Sequence, residues 1–212
     1  MAAIDSREEN VKQVIEATIW CFENVGIERT TRVLIAKHAG VTVRSIQRYF
    51  GTLESLIIEA IGVYMQRLNQ YMNAELRKLR DSNATGYELL IAFLRMHLQF
   101  FNPDMPSPLV VHEMELYFIK HDIPLNTLYQ KLFDKKTHTT IMFDLFQQGL
   151  ADGSIKKTVD IDVIYAYLVI TFPALNIRIA MMAKGFKNVS SKVTTEMLFD
   201  KYIEILEHQI KA

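Results

Sequence analysis

Residues 32–51 read Arg-Val-Leu-Ile-Ala-Lys-His-Ala-Gly-Val-Thr-Val-Arg-Ser-Ile-Gln-Arg-Tyr-Phe-Gly, and this stretch decides the fold of the N-terminal region. It reads as two short helices joined at a glycine. Ile35 and Ala36 supply the inner face of the first, and Ala36 is small, as a close helix crossing requires. Gly40 stands where the chain turns sharply and a positive φ is expected, which glycine adopts without steric cost. Val41 packs under the turn and Thr42 caps the next helix. Ile46 and Phe50, four residues apart, bury that helix's inner face. Val43, Arg44, Gln47 and Arg48 are left facing outward. A helix-turn-helix inserts such a face into the major groove, with residues near the start of the second helix reading bases.

As a bare pattern this is also an ordinary helical hairpin, and charge separates the two readings. From Arg29 to Leu53 the chain carries Arg29, Arg32, Lys37, Arg44 and Arg48 and no acidic residue. The flanks are acid-rich, with Glu8, Glu9, Glu16, Glu23 and Glu28 before and Glu54 and Glu59 after. The whole chain has a formal net charge of zero. A basic patch confined to one segment of a neutral chain is an electrostatic footprint for phosphate.

Residues 11–60 resemble the DNA-binding domain of the TetR/AcrR family of bacterial transcriptional regulators. Ala17, Phe22 and Gly26 carry the resemblance in the first helix and at its end, and Thr30-Thr31 open the second. Ile35-Ala36, Ala39-Gly40-Val41, Ser45-Ile46, Tyr49-Phe50 and Glu54-Ser55-Leu56 complete it. The resemblance implies that Thr31, Arg32, Thr42, Val43, Arg44, Gln47, Arg48 and Tyr49 form the DNA-contacting set. Three positions depart from the family pattern. Arg44 stands where Gly or Ala is usual, Gln47 where Tyr is usual, and Leu53 where Lys is usual. Tyr and Lys there typically hold phosphates, so two customary anchors are missing, and Arg44 or Arg48 is placed to replace one.

Every segment of the chain reads as helical, with no strand alternation, repeat or low-complexity tract, so the expected class is all-α. A first helix is expected over Arg7–Val25 and a long one over Thr52–Leu79. Further helices are expected at Gly86–Phe101 and Leu109–His121, and another opens at Pro124 and ends near Gly149 to Gly153. The last two are expected at Ile161–Lys184, with a kink at Pro173, and at Lys192–Ile210. Domain boundaries follow: residues 1–51 as the DNA-binding head and 52–212 as an effector-binding and dimerisation domain. At 212 residues, half of them hydrophobic, the chain is long enough for both.

Cys21 is the single cysteine. It excludes an intrachain disulfide framework, suits a reducing cytoplasm, and lies in an apolar stretch beside Trp20 and Phe22, where packing is its expected role. The N-terminus has no charged-then-apolar secretion signal. Residues 163–183 are long and apolar enough to cross a bilayer, yet Pro173, Asn176 and Arg178 interrupt them, and an arginine at that depth is costly. A helix apolar on most faces in a soluble chain is expected to touch its own domain and a partner subunit. With Leu198, Tyr202 and Ile205 on one stripe of the last helix, this predicts a homodimer and no membrane partner.

Catalytic and metal readings find no support. The six histidines are scattered, with no pair at metal-ligand spacing on one helix. No phosphate loop, nucleophile elbow or cysteine pair occurs, so no enzyme, metal or cofactor is expected. Methionines and aromatics crowd the central helices. They pack cores, and methionine also suits adaptable apolar pockets. The resemblance implies an effector pocket there, and His97, Phe100, Met114, Tyr117, Met142 and Asn176 are its candidate lining. The expected function is a ligand-responsive repressor that binds palindromic operator DNA and leaves it when a small hydrophobic or amphipathic effector of unread identity binds. The alternative is a helical co-regulator that keeps the fold and signals through protein contacts.

Overall fold

In the computed structural model, residues 2–80, 83–96, 108–124, 141–183 and 192–212 are described. They form α1 (Ala2–Asn24), a single 3-10 turn η1 (Ile27–Arg29), α2 (Arg32–Ala39), α3 (Val43–Phe50), α4 (Leu53–Arg80), α5 (Gly86–Met96), α6 (Pro108–Lys120), α7 (Ile141–Ala151), α8 (Ile161–Ala183) and α9 (Thr195–Ile210). Among the described residues there is no β-strand, only an isolated bridge between Ile155 and Lys211. The all-α expectation is therefore met.

Contacts divide the chain into two compact units. The first comprises Met1–Asn69 with Val110–Lys136, the second Gln70–Leu109 with Thr137–Ala212. A cut at residue 51 does not coincide with this division, because α4 continues the packing of the head and α6 joins it. Val14, Phe22, Ile27, Ile35, Ile46, Leu56 and Ile61 are buried in one core together with Val110, Met114, Tyr117 and Phe118 of α6. Cys21 lies fully buried in the same core, where burial pushes its thiol up. Arg67 of α4 grips Glu16 of α1 through both guanidinium nitrogens. The Trp20 ring of α1 stacks on His38 of α2 with centroids 4.0 Å apart.

The second unit is organised around α5 and α7, which approach so closely at Gly86 that this position has no room for a side chain, while a Cβ at Gly149 would meet the Ile155 side chain at 2.5 Å. A Cβ at Gly86 would stand 2.1 Å from the Gly149 nitrogen. The start of α5 is held by a reciprocal cap, since Thr85 N–H donates to Glu88 at 2.8 Å and Glu88 N–H donates back to the Thr85 hydroxyl at 3.2 Å. Asp152 takes the Gly86 amide at 2.6 Å, tying the α7 end to the α5 start. α9 buries Phe199, Ile203, Leu206 and Ile210.

Two helix starts differ from expectation. α1 begins at Ala2 rather than near Arg7. α9 begins at Thr195 rather than Lys192, because the Thr194 hydroxyl receives the Met197 amide. α8 is assigned without interruption across Pro173. The expected helix opening at Pro124 falls mostly on residues outside the described set, and its C-terminal part is α7.

Candidate nucleic-acid interface

The head presents α2 and α3 through matched local devices. Thr31 and Thr42 each sit in extended backbone before a helix and accept an amide three residues ahead, Leu34 N–H at 3.2 Å and Ser45 N–H at 3.0 Å. Gly40 ends α2 in the left-handed conformation, with φ 67° and ψ 25°, as the sequence predicted. Val41 N–H then donates to Ala36 O at 3.1 Å and closes the turn. Ile46 is fully buried beneath α3, and Phe50 is half-buried against the same core. Both α3 ends are therefore fixed before any ligand arrives.

The outward face of α3 carries Val43, Arg44, Gln47 and Arg48, all exposed. Arg48 folds back, its Nη2 donating to the Tyr49 hydroxyl at 3.0 Å with the guanidinium 5.0 Å from the ring centre. Arg7 of α1 also approaches that ring, 6.0 Å from its centre. Two cations and a phenol thus converge at one edge of the face, although only Arg48 and Tyr49 were legible as candidates. Arg32 is half-buried and turns toward the end of α3, where its Nη2 lies 3.5 Å from Gly51 O. Leu53 is also half-buried, with its side chain packed on the head core. Chemically this surface offers two free side chains with hydrogen-bonding ends, Arg44 and Gln47, beside the apolar Val43. Arg–guanine, Gln–adenine and apolar–thymine-methyl contacts are the pairings such residues make in a major groove.

The remaining candidate positions fall in different places. Met114 and Tyr117 are buried in the core shared by α6 and the head, and burial raises the Tyr117 phenol. Met142 is buried on α7, and Asn176 is buried on α8 with its Oδ1 lacking a hydrogen-bond partner. His97 and Phe100 lie outside the described residues. Of the interface candidates, Ile205 is exposed and Leu198 half-buried. The half-buried Tyr202 bonds Thr171 across α8 and α9 with 2.8 Å between hydroxyl oxygens. A cleft of about 320 Å³ between these helices is lined by Val163, Ile164, Tyr167, Tyr202, Ile205 and Leu206, and by Gln209. The 22-residue stretch Ile161–Met182 meets the length and hydropathy of a membrane span, with 28% of its apolar window buried. Among the described residues no group of three or more His, Cys, Asp or Glu is placed to hold a metal ion.

One contact at the head had no local signal. Glu113 of α6 receives the backbone N–H of Ile27 at 3.1 Å, across 86 residues of sequence. No periodicity rule along α6 reaches so distant an amide.

Residues 14–60 match the family model described as bacterial regulatory proteins, tetR family. The HTH-type transcriptional regulator BetI of Pseudomonas fluorescens is 35% identical over 76 residues, which cover 36% of this chain and 39% of that protein. BetI of Vibrio parahaemolyticus is 26% identical over 117 residues, covering 50% and 59%. These matches therefore span less than two thirds of either relative. Similarity of fold extends further. A TetR transcription regulator from Haloarcula marismortui superposes with a TM-score of 0.63 at 16% identity, over 96% of this chain and all of that one (100%). The ketosteroid transcriptional regulator KstR2 of Mycobacterium tuberculosis gives 0.58 at 16% identity, over 95% of each chain. FadR of Thermus thermophilus, a TetR-family transcriptional repressor in complex with lauroyl-CoA, gives 0.51 at 16% identity over 92% of each. The head, residues 14–60, thus matches the tetR family of bacterial regulatory proteins, and an all-helical fold like that of TetR regulators extends along nearly the whole chain.

Proposed function

We propose that this protein is a dimeric, one-component transcriptional repressor that occupies a palindromic operator and releases it when a small apolar or amphipathic effector binds. The observation that carries this reading is the outward face of α3. Arg44 and Gln47 project from a helix capped at both ends, on a segment with no acidic residue from 29 to 53. A cationic, pre-formed recognition helix is complementary to a groove flanked by phosphates. Two such heads grip half-sites about one helical turn apart, ~34–36 Å, if the chain is a symmetric dimer.

Support for the dimer comes from apolar side chains left outside on α8 and α9. Val163, Tyr167, Ile170 and Ile205 are all exposed, Ile170 to 72%. Support for an effector comes from Asn176, whose buried, unpartnered Oδ1 is the kind of polar group that fixes a ligand's orientation in an otherwise apolar site. A neighbour of the same fold holding an acyl-CoA makes an amphipathic ligand the first class to test. The ligand acts by binding one head arrangement better than the other, and DNA must weaken ligand binding by the same factor. The protein would act in the cytoplasm, without a catalytic role.

Selection of bound duplexes from a random DNA library by the purified protein tests the reading. The expected result is a two-fold symmetric motif with half-sites one turn apart. Failure to enrich any duplex over random DNA would replace this function with that of a helical partner protein signalling through protein contacts, the reading favoured by Gln47 and Leu53 at positions where family members carry phosphate anchors.

A further inference from the structure

The turn that leads into α2 is held from outside the three-helix head. Gly26 lies between α1 and η1 with φ 88° and ψ 154°, and it has no side chain to cap the amide that follows. That amide, Ile27 N–H, is taken by Glu113 of α6 at 3.1 Å. The fit is close, since a Cβ at Gly26 would itself lie 3.1 Å from the Glu113 carboxylate. On the next residue, Glu28 faces two cationic or protonatable groups of α6 and its end, Lys120 Nζ at 3.4 Å and His121 Nε2 at 3.6 Å. Ile27 is buried between these contacts in the core it shares with Val110, Met114 and Phe118.

On its other side the same turn is wired to the DNA-facing helices. Thr30 N–H donates to Ile27 O at 3.0 Å, and the Thr30 hydroxyl donates to Gly26 O at 3.0 Å. Thr30 is buried, and the next residue, Thr31, is the cap of α2. A path of consecutive short bonds therefore runs from the Glu113 carboxylate to the first turn of α2, and the Gly40 turn joins α2 to α3. A carboxylate accepting a part-buried backbone amide is directional and charge-assisted. It does not stretch gradually with a displaced helix; it is made or lost.

We propose that Glu113 is a positioning residue for DNA binding, clasping the 26–31 turn to α6 so that the placement of α6 sets the presentation of α3. This rests on the regulator reading above and names the point at which its regulation enters the head. It adds to the long α4 a second connection, one that a shift of α6 makes or breaks. A ligand or contact that moves α6 is then read at the recognition helix without touching it.

The test uses full-length protein with Glu113→Gln and Glu113→Ala, and Lys120→Ala as a comparator that loses only an exposed ion pair. Three readouts are taken: amide hydrogen exchange over residues 27–31, affinity for the duplex selected by the unsubstituted protein, and affinity for random duplex. The Glu113 variants are expected to speed exchange in that segment and to weaken the selected duplex by roughly tenfold. Random-duplex affinity should stay within about twofold, because the phosphate-facing cations are untouched. Lys120→Ala is expected to change selected-duplex affinity by less than about twofold. A merely structural role would lower both affinities together, in step with a loss of folded protein, and would overturn the proposal. So would faster exchange with unchanged discrimination between the duplexes. If the unsubstituted protein selects no duplex, the regulator reading fails and this inference fails with it. If it selects one that the Glu113 variants bind equally well, only this inference fails.

Discussion

The outer face of α3 and the outer face of the α8–α9 pair are both exposed among the described residues, in opposite chemistries. On α3 the exposed Arg44, Gln47 and Arg48 end in a guanidinium or an amide beside the single apolar Val43, with Ile46 and Phe50 turned inward. On α8 and α9 the exposed side chains include Val163, Tyr167, Val169, Ile170, Met197 and Ile205, while Phe172, Phe199 and Tyr202 pack against one another inside. Water tolerates the first surface and is poorly displaced from it except by a polyanion. The second loses hydrophobic free energy as long as it stays wet. Under the function proposed above, the difference matches each face to a different partner: a phosphate-flanked groove to α3, and an equally apolar surface, most simply a second copy of the chain, to α8–α9.

The comparison breaks most visibly if the apolar face is made polar. Ile170→Asp with Ile205→Asp introduces two charges on that face without removing a buried side chain, since the originals are 72% and 54% exposed. Leu198 is a poorer choice, because it is half-buried and its loss would also disturb packing within the chain. Each isoleucine that would be covered in a dimer contributes up to ~1.5–3 kcal/mol, so the pair should weaken association at least a hundredfold. Sedimentation at micromolar concentration should find a monomer, and duplex affinity should fall by roughly 10²–10⁴ with the loss of the second half-site. A variant that stays dimeric would assign the association surface elsewhere.

The α3 side is sharpened by Arg44→Ala. If Arg44 pairs with a guanine edge, the cost is ~1–3 kcal/mol and preference relaxes at one position per half-site. A uniform loss across sequences would instead make Arg44 a phosphate contact. Binding to a set of single-base duplex variants separates the two outcomes.

Much of the head was legible because its determinants are local. Gly40 needs a positive φ, Thr42 has an amide three residues ahead to cap, and Ile46 lies four residues before Phe50. Each of these acts within one or two turns of chain. Cys21 was placed in the core by its neighbours in the same helix. What sequence spacing could not reach was long-range. Met114 and Tyr117 read as apolar residues of a central helix, and nothing along α6 indicates that they pack with Ile27 and Leu56 rather than with their own neighbours. Arg32 has the composition of an outward cation, yet it turns toward the Gly51 carbonyl, a choice made by the crossing of α2 and α3 and not by its position in α2. The apolar run of α8 announced burial, and its structure instead divides it into a packed stripe at Leu168, Phe172, Asn176 and Ile179 and an open one at Val163, Tyr167 and Ile170. Period alone gives no sign of which stripe is covered.

Leu53 links the two halves of that lesson, since a family phosphate anchor has here become part of the core. Leu53→Lys should retain most of the packing through the lysine's alkyl stem while its ammonium reaches solvent. Selected and random duplexes should both bind more tightly, and the dependence of log affinity on log salt should steepen by about 0.9 per added phosphate contact. An unchanged slope would mean that the position does not face the backbone of the duplex.

The smallest effect contrasts a cation that is already paired with the free Arg44. Arg67 bonds Glu16, and that side-chain hydrogen bond, opposed by partial burial, holds the Glu16 carboxyl below its ordinary range. A folded-state value below the unfolded one makes Glu16 stabilising above the ordinary glutamate range, with the contribution lost as pH falls through the lowered folded value. Both partners are about half exposed, at 48% and 54%, so solvent screening leaves roughly 0.5 kcal/mol. Glu16→Gln should therefore destabilise the protein by that amount at pH 7, with the difference closing as the medium is acidified below about pH 4. Glu23 supplies the opposite sign, because burial raises its carboxyl despite the nearby Arg67. Glu23→Gln should be neutral or slightly stabilising at pH 7, and should lose that advantage in acid. Duplex affinity should be unmoved in both variants, since neither carboxylate belongs to α2 or α3 or bonds a residue of them. A change in operator binding with Glu16→Gln would mean that this pair, unlike the cations of α3, also helps to set the recognition surface.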